Sequence, residues 1–578
     1  MNQTRAFLIF GWLMIATLLW MEWGREQAPL PVTTDATAQV ADVGQVPAIP
    51  SVDGATPVPA ADIPAADIPG AAVSMAPGSQ PPATPAPANA TPVVTVETDV
   101  LRVRMRGGEI LSTQLLNYAQ DTTPESPRVE LLDDTAPGVF VARSGWTSTA
   151  GAAPGHATGF VPVGDTREYT LAEGQDKIEV PFAWTGPDGV TVRRTWTFGR
   201  HDYAVVVRDE VVNAGATPWQ AHVYRQLLRD APPDRGSMFT NPESITFSGA
   251  AWYSPEEKYE KRSFADFADD GPLDVQVTGG WVALSQHYFL AAWVPQPDQA
   301  ALYALDTGNG LYSIQARGPS FHLAPGQRAA TEATLWLGPK LADRLEAVAP
   351  GLELSLDYGV FTFLAKPIAW LLGKLHLLTS NWGWAIVLLV LIIKLALYPL
   401  SAAQYKSAAR MRKFQPRVEQ LKERYGDDKQ KFQVALMELY KKEKINPVGG
   451  CLPVLVQIPV FLALYWVLLE SVDLRQAAWI PGWIDDLTAP DPFFILPLLN
   501  ISVMWATQKL TPTPGMDPMQ RKMMQFMPLI FGVMMILFPA GLVLYWVTNG
   551  TLGLAQQWWN IRRYGDAPAR GDASAKKD

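Results

Sequence analysis

The sequence predicts a polytopic α-helical membrane protein with six transmembrane helices and one large periplasmic antiparallel β-sandwich, and three observations carry that reading. Apolar segments of about spanning length gather after residue 380. Short alternating strands fill about 93–340, and basic residues crowd one side of the spans. Length 578, net charge −9 and mean hydropathy +0.02 therefore average two unlike halves, one mostly soluble and one mostly membrane.

Residues 1–24 read as an uncleaved transmembrane signal anchor. Arg5 precedes the apolar stretch 6–21, and the bulky or charged residues Leu18, Leu19, Trp20, Met21 and Glu22 offer no small-x-small cleavage site. Residues 25–92 are dominated by Pro and Ala, with repeats such as Ala61-Asp62-Ile63-Pro64 and Ala66-Asp67-Ile68-Pro69. Such a stretch buries too little apolar area to offset its ordering entropy, so it reads as a disordered linker.

The β domain, 93–345, announces itself by period two. Leu101, Val103 and Met105 alternate with Arg102, Arg104 and Arg106, and turns such as Gly186-Pro187-Asp188-Gly189 punctuate the runs. His156, His201, His222 and His287 are scattered with no cysteine beside them, which argues against a metal site. The single cysteine, Cys451, excludes an intrachain disulfide. No GxxxxGK phosphate loop and no nucleophile elbow occurs, so we expect no cofactor, no metal and no bond chemistry.

Residues 346–380 turn helical. Phe361, Leu364, Ile368, Leu371, Leu372 and Leu375 recur at three- and four-residue steps, with Lys366 and Lys374 apart and Pro367 as an interruption. An amphipathic helix lying at the membrane interface fits that pattern. Spans follow at 381–400, 449–470, 492–508, 523–538 and 541–559, the third and fourth of these short for ~30 Å of hydrocarbon.

Charge sets the topology. The segment 401–448 holds twelve Lys and Arg, whereas 471–491 has Arg475 against Asp473, Asp485, Asp486 and Asp491. The first is cytoplasmic and the second periplasmic by the positive-inside rule. Lys509, Arg521 and Lys522 in 509–522, and Arg562 and Arg563 in the tail 560–578, then fall inside as well. Both termini are cytoplasmic on this reading. The loop 401–448 itself reads as a helical hairpin, with Pro416 in a first turn, a break at Gly426-Asp427, and Asp428 capping the second helix.

Lys394 is the residue that most needs an explanation. It interrupts the otherwise apolar run 384–400, and a charge at such depth costs roughly 2.5–3.5 kcal/mol even on lenient insertion scales. Its Cα lies about 9 Å from the inner end of the span at 1.5 Å per residue. The helix runs inward and Cα–Cβ bonds tilt toward a helix N-terminus, so simple snorkelling works against the tilt. A water-filled recess open to the cytoplasm solvates the ammonium with less strain. Polar candidates near it are Gln457, Ser502, Thr507, Gln508, Thr548, Asn549 and Gln556, and the spans supply no acid beside it.

Several motifs now carry a family resemblance: Asn381-Trp382-Gly383, Tyr398-Pro399-Leu400, Gln415-Pro416, Asn446-Pro447-x-Gly449-Gly450-Cys451-x-Pro453, Gln457-x-Pro459-x-Phe461-x-Ala463-Leu464-Tyr465 and Phe538-Pro539-x-Gly541-Leu542 with Tyr545-Trp546. They resemble the YidC/Oxa/Alb membrane protein insertases, and the anchor, linker and β domain resemble the Gram-negative YidC type. The resemblance implies a five-helix core enclosing a hydrophilic groove open to cytoplasm and lipid, in the bacterial inner membrane. It implies work as an ATP-independent insertase and chaperone, alone or with the Sec translocon. Partners implied are nascent membrane proteins, membrane lipids, and ribosome and targeting factors at the cytoplasmic hairpin, with no specific nucleic acid. By motif position the substrate-groove residues are Lys394, Val390, Gln457, Phe461, Tyr465, Tyr545 and Trp546. Bacterial members usually have Arg where this chain has Lys394, and Lys lacks the bidentate fork. The family's periplasmic domain resembles a sugar-mutarotase-like sandwich; only that fold is carried over, without an activity. Two other classes compete. A small-solute transporter predicts internal repeats and intramembrane acid/base pairs, and a membrane-anchored carbohydrate-binding protein rests on the β domain alone.

Overall fold

The computed structural model describes residues 91–402, 415–425, 428–442, 452–510 and 518–565, apart from 136, 150, 158, 233–243, 245, 268–270 and 309. The predicted anchor 1–24 and nearly all of the linker 25–92 lie outside the described residues, as do 403–414, the motif Asn446-Pro447-x-Gly449-Gly450-Cys451, 511–517 and the tail beyond 565.

Alternation of buried and exposed positions builds the sandwich. In the strand Leu101–Arg106, Leu101, Val103 and Met105 are buried while Arg102 and Arg104 face outward. Strands between Val94 and Pro339 form two sheets, one of ten strands and one of nine. The sheets close on a core that contains Trp146, Trp196, Trp281, Trp293 and Trp336, all nearly inaccessible. Among the described strands the pairing is antiparallel as expected, with one exception: Val94–Glu97 pairs in parallel with Glu168–Thr170. The exception sits at a sheet edge, where the short strand Glu168–Thr170 returns to cover backbone groups that an edge leaves unpaired.

One buried ion pair ties the sheets together. Arg194 Nε and Nη2 donate to Asp209 Oδ1 and Oδ2, each at 2.7 Å. Asp209 also accepts from Trp146 Nε1 at 2.8 Å, and Arg194 Nη1 donates to the Ser144 carbonyl at 2.8 Å. Trp146 and Ser144 belong to the ten-strand sheet, Arg194 and Asp209 to the other. One bidentate fork, the Ser144 carbonyl and the Ser144 hydroxyl at 3.3 Å take up four of the five guanidinium N–H groups, which is the condition under which a buried pair persists.

The helical body follows as α1 (Ala342–Val348), α2 (Thr362–Thr379), α3 (Trp382–Ala396), α4 (Gln415–Tyr425), α5 (Lys429–Lys442), α6 (Leu452–Glu470), α7 (Ile495–Leu510), α8 (Pro518–Met534) and α9 (Ala540–Gly565). The single helix expected over 346–380 is instead α1, two 3-10 turns and α2. Pro367 does not interrupt α2, which runs straight through it. The stripe read from the sequence does face inward, with Leu372 and Leu375 buried and Phe361, Leu364, Ile368 and Leu371 half-buried against the core. The opposite side is apolar too: Phe363, Trp370, Leu377 and Leu378 are exposed. By length and composition, among the described residues, Gly359–Thr379 alone is long and apolar enough to cross a membrane, while Trp382–Ala396, Gln457–Glu470 and Lys522–Leu537 are shorter apolar helices. In the hairpin, α4 begins at Gln415 with Pro416 in its first turn, and Asp428 Oδ1 accepts from the Gln430 and Lys431 amides at 3.2 and 3.1 Å.

Glycines let the helices approach. A Cβ at Gly532 would lie 2.0 Å from Ile501, and one at Gly550 2.9 Å from Val503, so α7 packs against α8 and α9 through small-residue contacts. The loop after α6 then covers the N-terminal ends of α3 and α9. Asn381 caps α3 by accepting from the Trp384 amide at 3.1 Å, and its Nδ2 donates to the Ala478 and Trp479 carbonyls. The Gly541 amide donates to Leu487 O at 2.8 Å, and the Ala540 amide to Ala489 O at 2.7 Å.

The sandwich docks on the same loop and on the last turn of α6. Arg475 Nη1 and Nη2 donate to the Ala119 and Gln120 carbonyls, and His287 Nε2 donates to Leu469 O at 2.8 Å. Lys340 and Glu470 face each other at 3.8 Å with side chains only 1% exposed. The one acid at the end of α6 is thus matched by a sandwich lysine. It is not a counterion for Lys394.

Candidate functional site

Three helices converge on Lys394. Its own helix α3 supplies Val390 and Ile393, with Leu397, Leu400 and Ser401 just beyond, while α6 supplies Gln457 and Val460, and α9 supplies Tyr545 and Asn549. Together they line a recess of about 440 Å³, its open mouth included. The Lys394 ammonium reaches across to α9, where a Cβ on Gly553 would stand 3.6 Å from Nζ. Among the described residues no carboxylate lies within ion-pair distance of it.

The sequence around each helix explains the convergence. On α3, Gly383, Ala385, Ile386, Leu389 and Val390 are buried, whereas Leu391, Ile392 and Leu395 face outward. Lys394 stands one turn after Val390 and so shares its inward side. On α9, Tyr545 and Asn549 are four residues apart and Gly553 four further, one stripe facing Lys394. Gln457 Nε2 on α6 donates to Asn549 Oδ1 at 3.2 Å. That bond joins two helices across the recess and puts amide groups rather than acids around the cation.

An aromatic layer closes the recess on one side. Phe461 stacks on Tyr545 and on Trp546, with ring centroids 5.9 and 5.3 Å apart and interplanar angles of 23° and 15°. Tyr465, one turn along α6, is 6.5 Å from Phe461, and Trp546 also meets Phe538. Offset stacks of this kind contribute about 0.5–1.5 kcal/mol each beyond their burial. Beyond them, Tyr465, Leu468, Leu542 and Leu487 surround a small apolar void whose far wall is Tyr288 of the sandwich.

The seven residues singled out in the sequence therefore fall into two adjoining groups. Val390, Lys394, Gln457 and Tyr545 line the recess; Phe461, Tyr465 and Trp546 form the layer beside it, and Tyr545 belongs to both. Of the other polar candidates, Asn549 joins the recess. Ser502 and Thr507 bond back to carbonyls in their own helix, and Gln508 bonds the Met524 carbonyl on α8. Gly553 was not singled out, and its only signal was a small residue at stripe spacing from Asn549.

Comparison with known proteins places this architecture. Residues 93–371 match the family described as YidC periplasmic domain, and residues 374–567 match 60Kd inner membrane protein. A protein named membrane protein insertase YidC from Stenotrophomonas maltophilia (strain R551-3) is 54% identical over 581 residues, covering 98% of each chain. The chain belongs to the YidC membrane protein insertase family. A relative of the same name from Xanthomonas euvesicatoria pv. vesicatoria (strain 85-10) is also 54% identical, over 579 residues and 99% of each chain. Among solved structures, an active YidC insertase resolved with its first transmembrane domain matches over 80% of this chain and 94% of that one, at 19% identity and a TM-score of 0.36. Family membership makes this an inner-membrane insertase with a β-sandwich domain and a helical membrane body.

Proposed function

We propose that the recess around Lys394 is the groove through which this insertase passes short polar segments of nascent membrane proteins. The observation that carries the proposal is the charge balance: a cation held between three helices, ringed by Gln457 and Asn549, with no carboxylate beside it among the described residues. A lone desolvated ammonium attracts a transient anion, and an acidic residue in a substrate tail is such an anion. The amides solvate the passing backbone. The apolar surfaces outside, with Leu391, Ile392 and Leu395 exposed on α3, offer a path for the hydrophobic part of the substrate.

On this reading the catalytic effect is a lowered barrier to crossing. The recess shortens the hydrocarbon path and makes no bond, so neither ATP nor a cofactor is required. Six spans with both termini cytoplasmic put the sandwich in the periplasm, with α2 lying at the outer interface and the α4–α5 hairpin facing ribosome and targeting factors. The insertase works alone or with the Sec translocon.

Photo-crosslinkers introduced in turn at Lys394, Phe461 and Tyr545 test the path. Crosslinks from all three to a stalled single-span nascent chain are expected, with positions in the sandwich core silent. Crosslinks confined to the sandwich contradict it and favour a periplasmic binding role.

A further inference from the structure

The sandwich grips the end of α6 at three points. His287 Nε2 donates to the Leu469 carbonyl at 2.8 Å, taking up one of the acceptors that a helix C-terminus leaves over. Lys340 stands 3.8 Å from Glu470, and both side chains are only 1% exposed. Tyr288 lines the small apolar void together with Tyr465 and Leu468. These three sandwich residues are themselves held: the Lys340 amide donates to Tyr288 O at 2.9 Å, and Phe289 pairs with Pro339 where the strands Phe289–Pro295 and Arg328–Pro339 meet.

The gripped helix leads straight to the site. Gln457, Phe461, Tyr465 and Leu469 recur every four residues, one row along α6 that runs from the recess through the aromatic layer to the carbonyl held by His287. Pro459 lies inside the helix between Gln457 and Phe461, where it removes a backbone hydrogen bond and leaves a point at which a helix bends. The half of α6 beyond Pro459, which carries Phe461 and Tyr465, is thus tied less firmly to the recess than an unbroken helix would be.

We propose that Lys340 and His287 are positioning residues for the groove: they fix the half of α6 beyond Pro459 and so hold Phe461 and Tyr465 in register with Tyr545 and Trp546. The proposal rests on the reading of the recess as the substrate path. A buried ion pair adds little net stability, because each charge has lost its water, but either charge is costly to bury without the other. Glu470 receives no hydrogen bond at either oxygen among the described residues, so the Lys340 ammonium opposite is what makes its burial tolerable. Seating the sandwich a turn away would strand the carboxylate. The pair therefore specifies one arrangement of sandwich and helix, and the His287 bond pins the last turn of α6 in it.

Amide hydrogen exchange of the full chain in lipid nanodiscs tests it, read over 460–470 and over the sandwich strand Trp219–Asp230, with insertion of acidic-tail and neutral-tail substrates scored alongside. Lys340→Met and Glu470→Gln should each speed exchange over 460–470 by roughly tenfold or more, since stranding one partner of a buried pair is costly, while Trp219–Asp230 stays protected. His287→Phe should act in the same direction. The swapped pair Lys340→Glu/Glu470→Lys should restore both slow exchange and insertion, which a general folding defect would not. Insertion by the single variants should fall for acidic and neutral tails alike, unlike a tail-selective loss at Lys394. Unchanged exchange over 460–470, exchange that rises equally in Trp219–Asp230, or a swap that restores nothing overturns the proposal. Faster exchange over 460–470 with undiminished insertion overturns it too, and then through the groove reading rather than through the grip on α6.

Discussion

The sandwich and the helical body each bury a cation, and they treat it in opposite ways. Arg194 is inaccessible, forks onto Asp209 through two 2.7 Å bonds and spends a further donor on Ser144. Lys394 is half-buried at a recess, near a glycine and two amides, with no acid beside it among the described residues. A charge whose partners are all internal contributes to the fold. A charge left open at a cavity mouth is available to something that comes and goes. The difference lies in the neighbours, since both residues are cations within apolar surroundings.

The largest expected effect breaks the closed pair. Asp209→Ala strands the Arg194 guanidinium and should cost about 3–5 kcal/mol, read as a lowered unfolding temperature of the sandwich. An unfolding temperature within a degree of the unaltered chain would remove the pair from the account of the fold.

Acid should act on the same domain through His156. Its ring is buried, Nδ1 takes the Tyr224 hydroxyl at 2.8 Å, and burial pushes its pKa down to about 3 from an ordinary 6.5. The unfolded chain therefore binds a proton that the folded chain refuses between those values. Stability contributed by the neutral ring is complete above about 6.5 and is lost as pH falls toward about 3. A His156→Gln variant should flatten this part of the unfolding-versus-pH curve, and an unchanged slope would contradict the buried neutral assignment.

Smaller effects belong to the helical body. Gln457→Leu removes the bond to Asn549 and should destabilise the α6–α9 contact by about 0.6–1.7 kcal/mol, the scale of hydrogen bonds between membrane helices. Insertion should slow more than stability falls, because the recess loses an amide as well as a brace. Lys394→Met should change the unfolding temperature least of all, or raise it, since it removes a desolvated charge that no acid repays. A large destabilisation there would mean that Lys394 is a structural residue like Arg194.

Much of this was legible from the chain because period and charge are local signals. The alternation at Leu101, Val103 and Met105 gave the sandwich face, the stripe from Phe361 to Leu375 gave the buried side of α2, and Asp428 gave the cap of α5. The order of strands was not legible, because long-range pairing such as Trp219–Asp230 with Phe140–Ser148 depends on sheet closure. Pro367 misled, since a proline near the start of a packed helix gives up one bond without ending it. Near the site, Lys394 stood out as a charge in an apolar run. Its meeting with Gly553 did not, since it depends on how α3 and α9 rotate against each other. The docking of Lys340 on Glu470 was hidden for the same reason: two ordinary charged residues, 130 positions apart, become neighbours only when the sandwich seats on the loop after α6.

Charge at position 394 is the most direct test of the central claim. In cells depleted of their own insertase, single-span substrates with acidic and with neutral N-terminal tails are scored for insertion by the unaltered chain, Lys394→Arg and Lys394→Ala. Lys394→Arg should match the unaltered chain. Lys394→Ala should lose acidic-tail insertion by roughly tenfold, the scale of a charge-assisted hydrogen bond, while neutral tails change little. Equal insertion of acidic tails by Lys394→Ala and Lys394→Arg would show that the open cation does not receive the substrate.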